Sequence, residues 1–204
     1  ELAKLRLLNG SHSTLAYVGL LLGHTYVHQA VADPALAALL RRQIEDEAMP
    51  TLAPAAGLDY GAYADALLRR FDNPALPHRL DQIASDGSQK IPQRWLAAMV
   101  ERDARGLASP AYLLALAAWI VHVGGAAGRP VDDPLAGRLA AIWRVMSGDP
   151  RAVAAAMVSE SGVFPDAFRN SATLPAALAD TLTRLMDGDP RGLIAAITAP
   201  APID

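Results

Sequence analysis

Apolar residues recur along most of this chain with the spacing of a helix. Leucine and isoleucine stand at positions 36, 39, 40 and 44, three or four residues apart, with charged residues between them. This period places apolar side chains on one face of an α-helix. It predicts helices, and no strand, over residues 2–31 (with a break allowed at Gly10), 34–48, 59–71, 92–105, 110–123, 134–147, 150–160, 174–187 and 190–198.

The dipeptide Asp-Pro marks the predicted starts of several helices. The carboxylate can accept the free N–H groups of a first helical turn, and the fixed φ of proline suits the first helical position. Asp-Pro occurs at 33–34, 133–134, 149–150 and 189–190, with Ser109-Pro110 as a variant. Glycines mark the predicted ends at 106, 124–125, 148 and 188. These marks are irregularly spaced, so they indicate capping and not an internal repeat.

Composition agrees with an all-α fold. The 204 residues are 52% hydrophobic but only 5% aromatic, and Ala and Leu dominate, which favours helix over sheet. The length fits one domain with a substantial core. We therefore predict a single multi-helical domain over residues 1–204.

Charge and hydropathy narrow the classes of partner that the protein is expected to bind. The 18 basic and 21 acidic residues are spread over the chain, so no basic stripe indicates nucleic acid. The most apolar stretch, residues 111–123, is too short for a bilayer and indicates a buried helix. The absence of cysteine excludes thiolate metal sites and is compatible with the cytoplasm. A cytoplasmic protein with a small polar substrate is the resulting expectation.

Candidate chemistry begins at Lys4, Asn9 and His12. On a regular α-helix, Lys4 and His12 differ by about 80° and Asn9 and His12 by about 60°, so the three could face one cleft. Spacing alone fits two interpretations. The residues could form a reactive group, or they could be a solvated lysine, an Asn-Gly turn and an ordinary histidine.

Two stretches rich in turn residues, 72–78 and 85–90, are predicted loops, where binding groups are often found. His24 and His28 stand four residues apart, but no glutamate follows His24 as zinc-protease motifs require, and no third ligand is evident. We therefore expect no metal site.

Several blocks of sequence resemble one enzyme family. The string KLRLLNGSHS at residues 4–13 resembles the signature helix of the polyol-specific long-chain dehydrogenases, the family of mannitol 2-dehydrogenase, fructuronate reductase and altronate oxidoreductase. Later blocks match the family in the same order: AVADP at 30–34, RFDNP at 70–74, HR at 78–79 and QIASDGSQKIPQR at 82–94. Several ordered blocks are more specific than a single motif.

This resemblance implies an NAD-dependent, metal-independent oxidoreductase with a Rossmann domain followed by a helical domain. Residues 1–204 correspond to the helical substrate-binding and catalytic domain, similar in fold to the C-terminal domain of 6-phosphogluconate dehydrogenase. No glycine-rich fingerprint follows a predicted strand, so we expect no cofactor-binding residue here. NAD is expected to bind mainly to an N-terminal Rossmann domain of the same protein, outside this sequence.

The resemblance also implies residue roles. Moving a hydride from a secondary alcohol requires a base for the hydroxyl proton and donors for the developing negative charge. By resemblance, Lys4 is the acid/base, and Asn9 and His12 hydrogen-bond the reacting oxygen. Lys90 would contact the distant hydroxyls or carboxylate of the substrate, and His78 would line its pocket. Ordinary loop residues are the alternative for the last two.

Two questions stay open at this level. The 82–94 block is more similar to the fructuronate reductase side of the family, and Lys90 would suit a carboxylate, so fructuronate and mannonate are favoured over fructose and mannitol. A helical binding or interaction module that keeps the fold without catalysis is the alternative from another class. This alternative rests on the absence of a Rossmann domain from the 204 residues.

The residues expected to react form only one wall of an active site. We therefore predict that the isolated 204-residue chain has no dehydrogenase activity. The measurement is NADH oxidation with fructuronate or fructose, and the protein from the complete reading frame is the positive control. Turnover by the isolated chain would contradict this prediction.

Overall fold

The described residues form helices that are connected by short loops. The computed structural model describes residues 1–54, 57, 59–125, 128–146 and 149–200, and within them the only β-type pairing is an isolated bridge between Tyr26 and Arg79. The predicted all-α class is therefore confirmed. The α-helices are α1 (Gly10–Leu21), α2 (Val27–Ala32), α3 (Pro34–Arg42), α4 (Tyr60–Phe71), α5 (Leu80–Ile83), α6 (Gly87–Ile91), α7 (Ala97–Asp103), α8 (Pro110–Val123), α9 (Ala136–Val145), α10 (Pro150–Glu160), α11 (Asp166–Arg169), α12 (Leu174–Met186) and α13 (Pro190–Thr198). Three further segments have π-helical hydrogen bonding, Lys4–Asn9, Gln43–Ala48 and Pro92–Leu96, and Met49–Thr51 is a 3₁₀ turn.

Asp-Pro acts as a helix start at three of its four positions. Asp33, Asp149 and Asp189 each cap a helix, with side-chain oxygens that accept N–H groups of the first turn. Asp133 differs, because α9 begins only at Ala136 and the carboxylate binds the backbone N–H and hydroxyl of Ser88 as well as the N–H of Leu135.

The predicted helix ends are partly confirmed. Gly106, Gly125 and Gly188 follow helices with φ of 70°, 74° and 98°, in the left-handed region that favours glycine. Gly124 is the residue after α8 and has helical angles. The predicted stop at Gly148 lies outside the described residues.

The predicted helix over 2–31 is wrong in one respect. It continues through Gly10, which has helical angles, but it ends at Leu21. The chain turns at Gly23, with φ of 88°, and residues 25–27 then pair with residues 78–80. The N–H of Leu80 binds the carbonyl of Thr25 at 2.9 Å. Pairing with a distant segment thus divides the predicted helix.

The predicted loop at 85–90 is also wrong. Helix α6 begins at Gly87 and continues through Pro92–Leu96 into α7, so this helix starts earlier than the predicted residue 92. Proline lacks an N–H for the usual helical hydrogen bond, and the bonding becomes π-helical from Pro92. The short helices α5 and α11 were not predicted either, whereas the segment 72–78 is non-helical as expected.

Helix α8 lies at the centre of the core. Its residues from Ala111 to Ile120 are all buried, and α1 and α12 pack against it. Glycine at position 87 lets α6 approach this centre closely, because an added Cβ would lie 2.4 Å from the hydroxyl oxygen of Tyr17 and 2.6 Å from Nε1 of Trp119. In the described ranges, no helix combines the length and apolar character needed to cross a bilayer.

The N-terminus of α8 is capped from a distant part of the chain. Ser109 precedes the helix as predicted, but its side chain accepts no N–H of the first turn. The buried carboxylate of Glu47 accepts the N–H of Ala111 at 2.8 Å and the N–H of Tyr112 at 3.0 Å. Burial raises the pKa of Glu47 to about 7, although these hydrogen bonds act in the opposite direction.

We predict that Glu47→Gln destabilises the protein by about 2–4 kcal/mol, because an amide NH₂ would face a buried N–H donor. Glu45→Gln is the matched control, since Glu45 lies in the same π segment but is exposed in an ion pair with Arg41. The control should cost no more than about 0.5 kcal/mol. Urea unfolding measures both variants, and equal losses would contradict the assigned role.

Candidate functional site

A π turn shapes the helix that carries the candidate catalytic residues. Segment Lys4–Asn9 continues directly into α1, and we call the two together the motif helix. In π bonding, N–H groups reach the carbonyl five residues earlier, as Gly10 does to Leu5, so residues five apart lie closer in angle than on a regular α-helix. Lys4 and Asn9 are five apart. A regular α-helix would separate them by about 140°, whereas the π turn brings them towards one face.

The π segment Pro92–Leu96 holds the motif helix in place. Nε1 of Trp95 donates to the carbonyl oxygen of Gly10 at 3.1 Å, and the hydroxyl of Thr14 donates to the same oxygen at 3.2 Å. Nη1 of Arg94 donates to the hydroxyl oxygen of Ser13 at 2.7 Å. The indole of Trp95 is fully buried. These contacts fix the helix at Gly10, between Asn9 and His12, and at Ser13, next to His12.

His12 opens onto a cleft at the next turn of the motif helix. Its ring stacks on Phe71, with centroids 4.5 Å apart and planes at 24°. The surrounding depression, which we call the His12 cleft, is lined by His12, Val27, Arg70, Phe71, Leu76 and His78. The pairing of residues 25–27 with 78–80 brings His78 to this place. The structure therefore brings together two of the residues singled out from the sequence.

The electrostatics of the His12 cleft favour a neutral imidazole. The pKa of His12 is lowered to about 4, mainly by burial and in addition by electrostatic interaction with His78, Arg94 and Arg70. No carboxylate is among the residues that line the cleft. At neutral pH the ring can donate one N–H hydrogen bond to a bound oxygen.

Lys4 and Asn9 are accessible but do not line the His12 cleft. The side chain of Lys4 is 59% exposed, and its Nζ lies 3.9 Å from a carboxylate oxygen of Glu1. Asn9 is half-buried, and its side chain has no hydrogen-bond partner in the described ranges. Asn9 is thus available to a ligand, and Lys4 is accessible although it is paired with Glu1.

Lys90 lies on α6 and not on the predicted loop. Its Nζ donates to the carbonyl oxygen of Ser85 at 2.6 Å and lies 3.7 Å from a carboxylate oxygen of Asp86. Lys90 is absent from the lining of the His12 cleft, but it precedes Arg94 by about one helical turn, and Arg94 reaches Ser13. The structure therefore places Lys90 near this region without bringing it to His12.

The remaining histidines have structural partners. Nε2 of His24 lies 3.0 Å from Oδ2 of Asp33, which also accepts from Arg191, and His28 stacks on Tyr26. Across the described part of the chain, no three His, Cys, Asp or Glu residues form a group that could hold a metal ion.

Sequence reasoning missed two cations near His12. Arg70 and Arg94 both contribute to its electrostatic environment. Each belongs to a block that carries the family resemblance, RFDNP or QIASDGSQKIPQR, and that was their only sequence signal. Arg70 and Arg94 are far from His12 in the sequence, so residue spacing could not show that they lie near it.

Comparisons with known proteins identify the family to which the chain is similar. The family model described as "Mannitol dehydrogenase C-terminal domain" matches residues 1–186. Two relatives from Escherichia coli (strain K12) are "Uncharacterized oxidoreductase YeiQ", 40% identical over 81% of this chain and 34% of its own length, and "D-mannonate oxidoreductase", 37% identical over 87% of this chain and 37% of its own length.

A solved structure, the Pseudomonas fluorescens mannitol 2-dehydrogenase in a ternary complex with NAD and D-mannitol, is 29% identical with a TM-score of 0.88. It aligns over 96% of this chain and 40% of its own. The chain thus spans about a third of the length of the two curated relatives.

We predict that the ring of His12 titrates near pH 4 and not near its ordinary 6.5. Histidine ring signals in NMR spectra, recorded from pH 8 down to about pH 2.5, measure the midpoint, and His12→Asn identifies the signal by its loss. A midpoint at the ordinary value would contradict the buried, cation-facing placement.

The same shift sets the sign of a stability effect. The unfolded chain binds a proton at His12 near pH 6.5 and the folded chain only near pH 4, so stability falls as pH drops between these values. His12→Asn lacks this loss, which amounts to about 3 kcal/mol at the acid end. Above pH 6.5 the difference between the two proteins should not vary with pH.

Proposed function

The chain belongs to the mannitol dehydrogenase family, whose C-terminal domain it matches, and from this membership we propose that it is the substrate-binding and catalytic half of an NAD-dependent oxidoreductase. The reaction is the interconversion of a sugar acid or polyol with its keto form. The observation that supports the proposal is the motif helix, in which a π turn reduces the angle between Lys4 and Asn9 and His12 lines the cleft that follows.

The proposed roles follow from the chemistry of a secondary alcohol. During oxidation the amine of Lys4 accepts the hydroxyl proton, and during reduction its ammonium returns that proton to the oxygen. The amide of Asn9 and the neutral ring of His12 donate hydrogen bonds to the oxygen as it gains negative charge. Phe71 holds the ring by stacking, so its orientation is set before substrate binds.

The cofactor is proposed to bind mainly outside this chain. NAD accepts the hydride when it is bound, and the usual cradle for its phosphates follows a strand, of which the described residues form none. We assign it to a Rossmann domain of the same protein, which would cover the face that carries Lys4. That cover would exclude water from the exposed lysine and complete the site.

A sugar acid is the proposed substrate, with fructuronate and mannonate favoured. Arg70 and Arg94 lie close enough to lower the pKa of His12, and the lining of the His12 cleft has no carboxylate to neutralise them. Such a site favours an anion over a neutral polyol. Lys90 is proposed to serve the distant end of the substrate, and His78 to line the cleft.

The test of this function is Lys4→Ala in the protein made from its complete reading frame. NADH-linked reduction of fructuronate is measured, with fructose compared and the oxidation of mannitol by NAD as the reverse assay. We expect kcat/KM to fall by about 10² to 10⁴, the usual contribution of general acid–base catalysis.

Arg151→Gln is the control for Lys4→Ala. Arg151 is an exposed cation on α10, paired with Asp180, and its loss should leave the rate unchanged. Rates that are equal in Lys4→Ala and the parent protein would refute the proposed role of Lys4.

A further inference from the structure

Arg70 lies at the edge of the His12 cleft, and its guanidinium has no partner among the described residues. It lies in the last turn of α4, is exposed, and has no hydrogen-bond acceptor or carboxylate partner in the part of the chain that is described. Other cations of this region are engaged, since Arg94 donates to Ser13, Lys90 to Ser85, and Arg79 forms two hydrogen bonds with Asp81.

The position of Arg70 connects it with the proposed reactive face. It lines the His12 cleft and also a neighbouring depression bounded by Leu8, Tyr63, Ala66 and Leu67. Leu8 belongs to the π segment between Lys4 and Asn9. Arg70 therefore stands where the two depressions meet, beside the motif helix.

The charge of Arg70 is not balanced locally. The residues that line the two depressions include no Asp or Glu. A guanidinium presents two parallel N–H donors that match a carboxylate or phosphate, and binding such a group there would supply the missing counter-charge.

We propose that Arg70 binds an anionic group of a ligand in the His12 cleft, either the carboxylate of a sugar-acid substrate or a phosphate of the dinucleotide. The inference rests on the proposed function, because that function supplies both candidate anions. It adds a specificity-determining residue to the groups assigned above.

The test compares Arg70→Gln with Arg69→Gln in the protein from its complete reading frame. Arg69 is the neighbouring exposed arginine on α4, it also lacks a partner within the described ranges, and it lines neither depression. Three quantities are measured: KM for fructuronate, KM for fructose, and the Kd of NADH. Arg70→Lys, which keeps the charge but not the paired donors, is a second variant.

If Arg70 binds the substrate carboxylate, Arg70→Gln raises KM for fructuronate by about tenfold or more, while KM for fructose and the Kd of NADH stay unchanged. If it binds a cofactor phosphate, the Kd of NADH rises by a similar factor and both sugars are affected. Arg70→Lys should fall between the parent and Arg70→Gln, and Arg69→Gln should match the parent. Arg70→Gln values equal to those of Arg69→Gln would overturn the proposal.

A failure of the proposed function can be distinguished from a failure of the Arg70 proposal. If the parent reduces neither sugar, calorimetric binding of mannonate and of NADH replaces the kinetic readout. Weaker binding of either one to Arg70→Gln would then support the anion site without the reaction. Unchanged binding, or no binding of either one to the parent, would overturn it.

Discussion

The carboxylate of Glu47 accepts two N–H groups at the buried N-terminus of helix α8. Helix α8 is buried from Ala111 to Ile120, so unpaired N–H groups at its start would each cost free energy comparable to a lost hydrogen bond. The carboxylate of Glu47 accepts two of them, and its negative charge is also favourable at the positive end of the helix. The surrounding helices pack on a centre that depends on this contact.

The helix that carries the candidate site packs on that centre. Helix α1 packs on α8 with one part of its surface, and its N-terminal continuation carries Lys4 and Asn9. Trp95 binds the carbonyl of Gly10, next to the π turn that changes which residues share a face. A scaffold that is rigid on the buried side therefore presents polar groups on the accessible side, as catalytic groups require.

Local signals in the sequence predicted much of the fold. Helices α8, α10 and α13 begin and end at the predicted residues, and Asp149 and Asp189 cap as expected, because these interactions join neighbours in the chain. The Glu47 cap could not be predicted, since its partners lie 64 and 65 residues away. The break after Leu21 escaped prediction for the same reason, because residues near 26 and 79 pair there.

The sequence proposed residue types for the candidate site but could not give their arrangement. A regular helical wheel set Lys4 and Asn9 far apart in angle, and only the π hydrogen bonding brings them closer. His78 meets His12 through tertiary pairing, and Lys90 proved to be helical and bonded to Ser85. A non-local contact places His78, whereas local backbone hydrogen bonding that the residue pattern does not reveal places Lys4, Asn9 and Lys90.

The central proposal is that the reacting oxygen of a sugar binds to Lys4, Asn9 and His12 on the motif helix. A crystal structure of the protein from its complete reading frame, with NAD and a sugar acid bound, tests it most directly. The account predicts the substrate hydroxyl within about 3.2 Å of the amine of Lys4, the amide of Asn9 and a ring nitrogen of His12. A substrate bound elsewhere, or one whose reacting oxygen contacts none of the three, would contradict it.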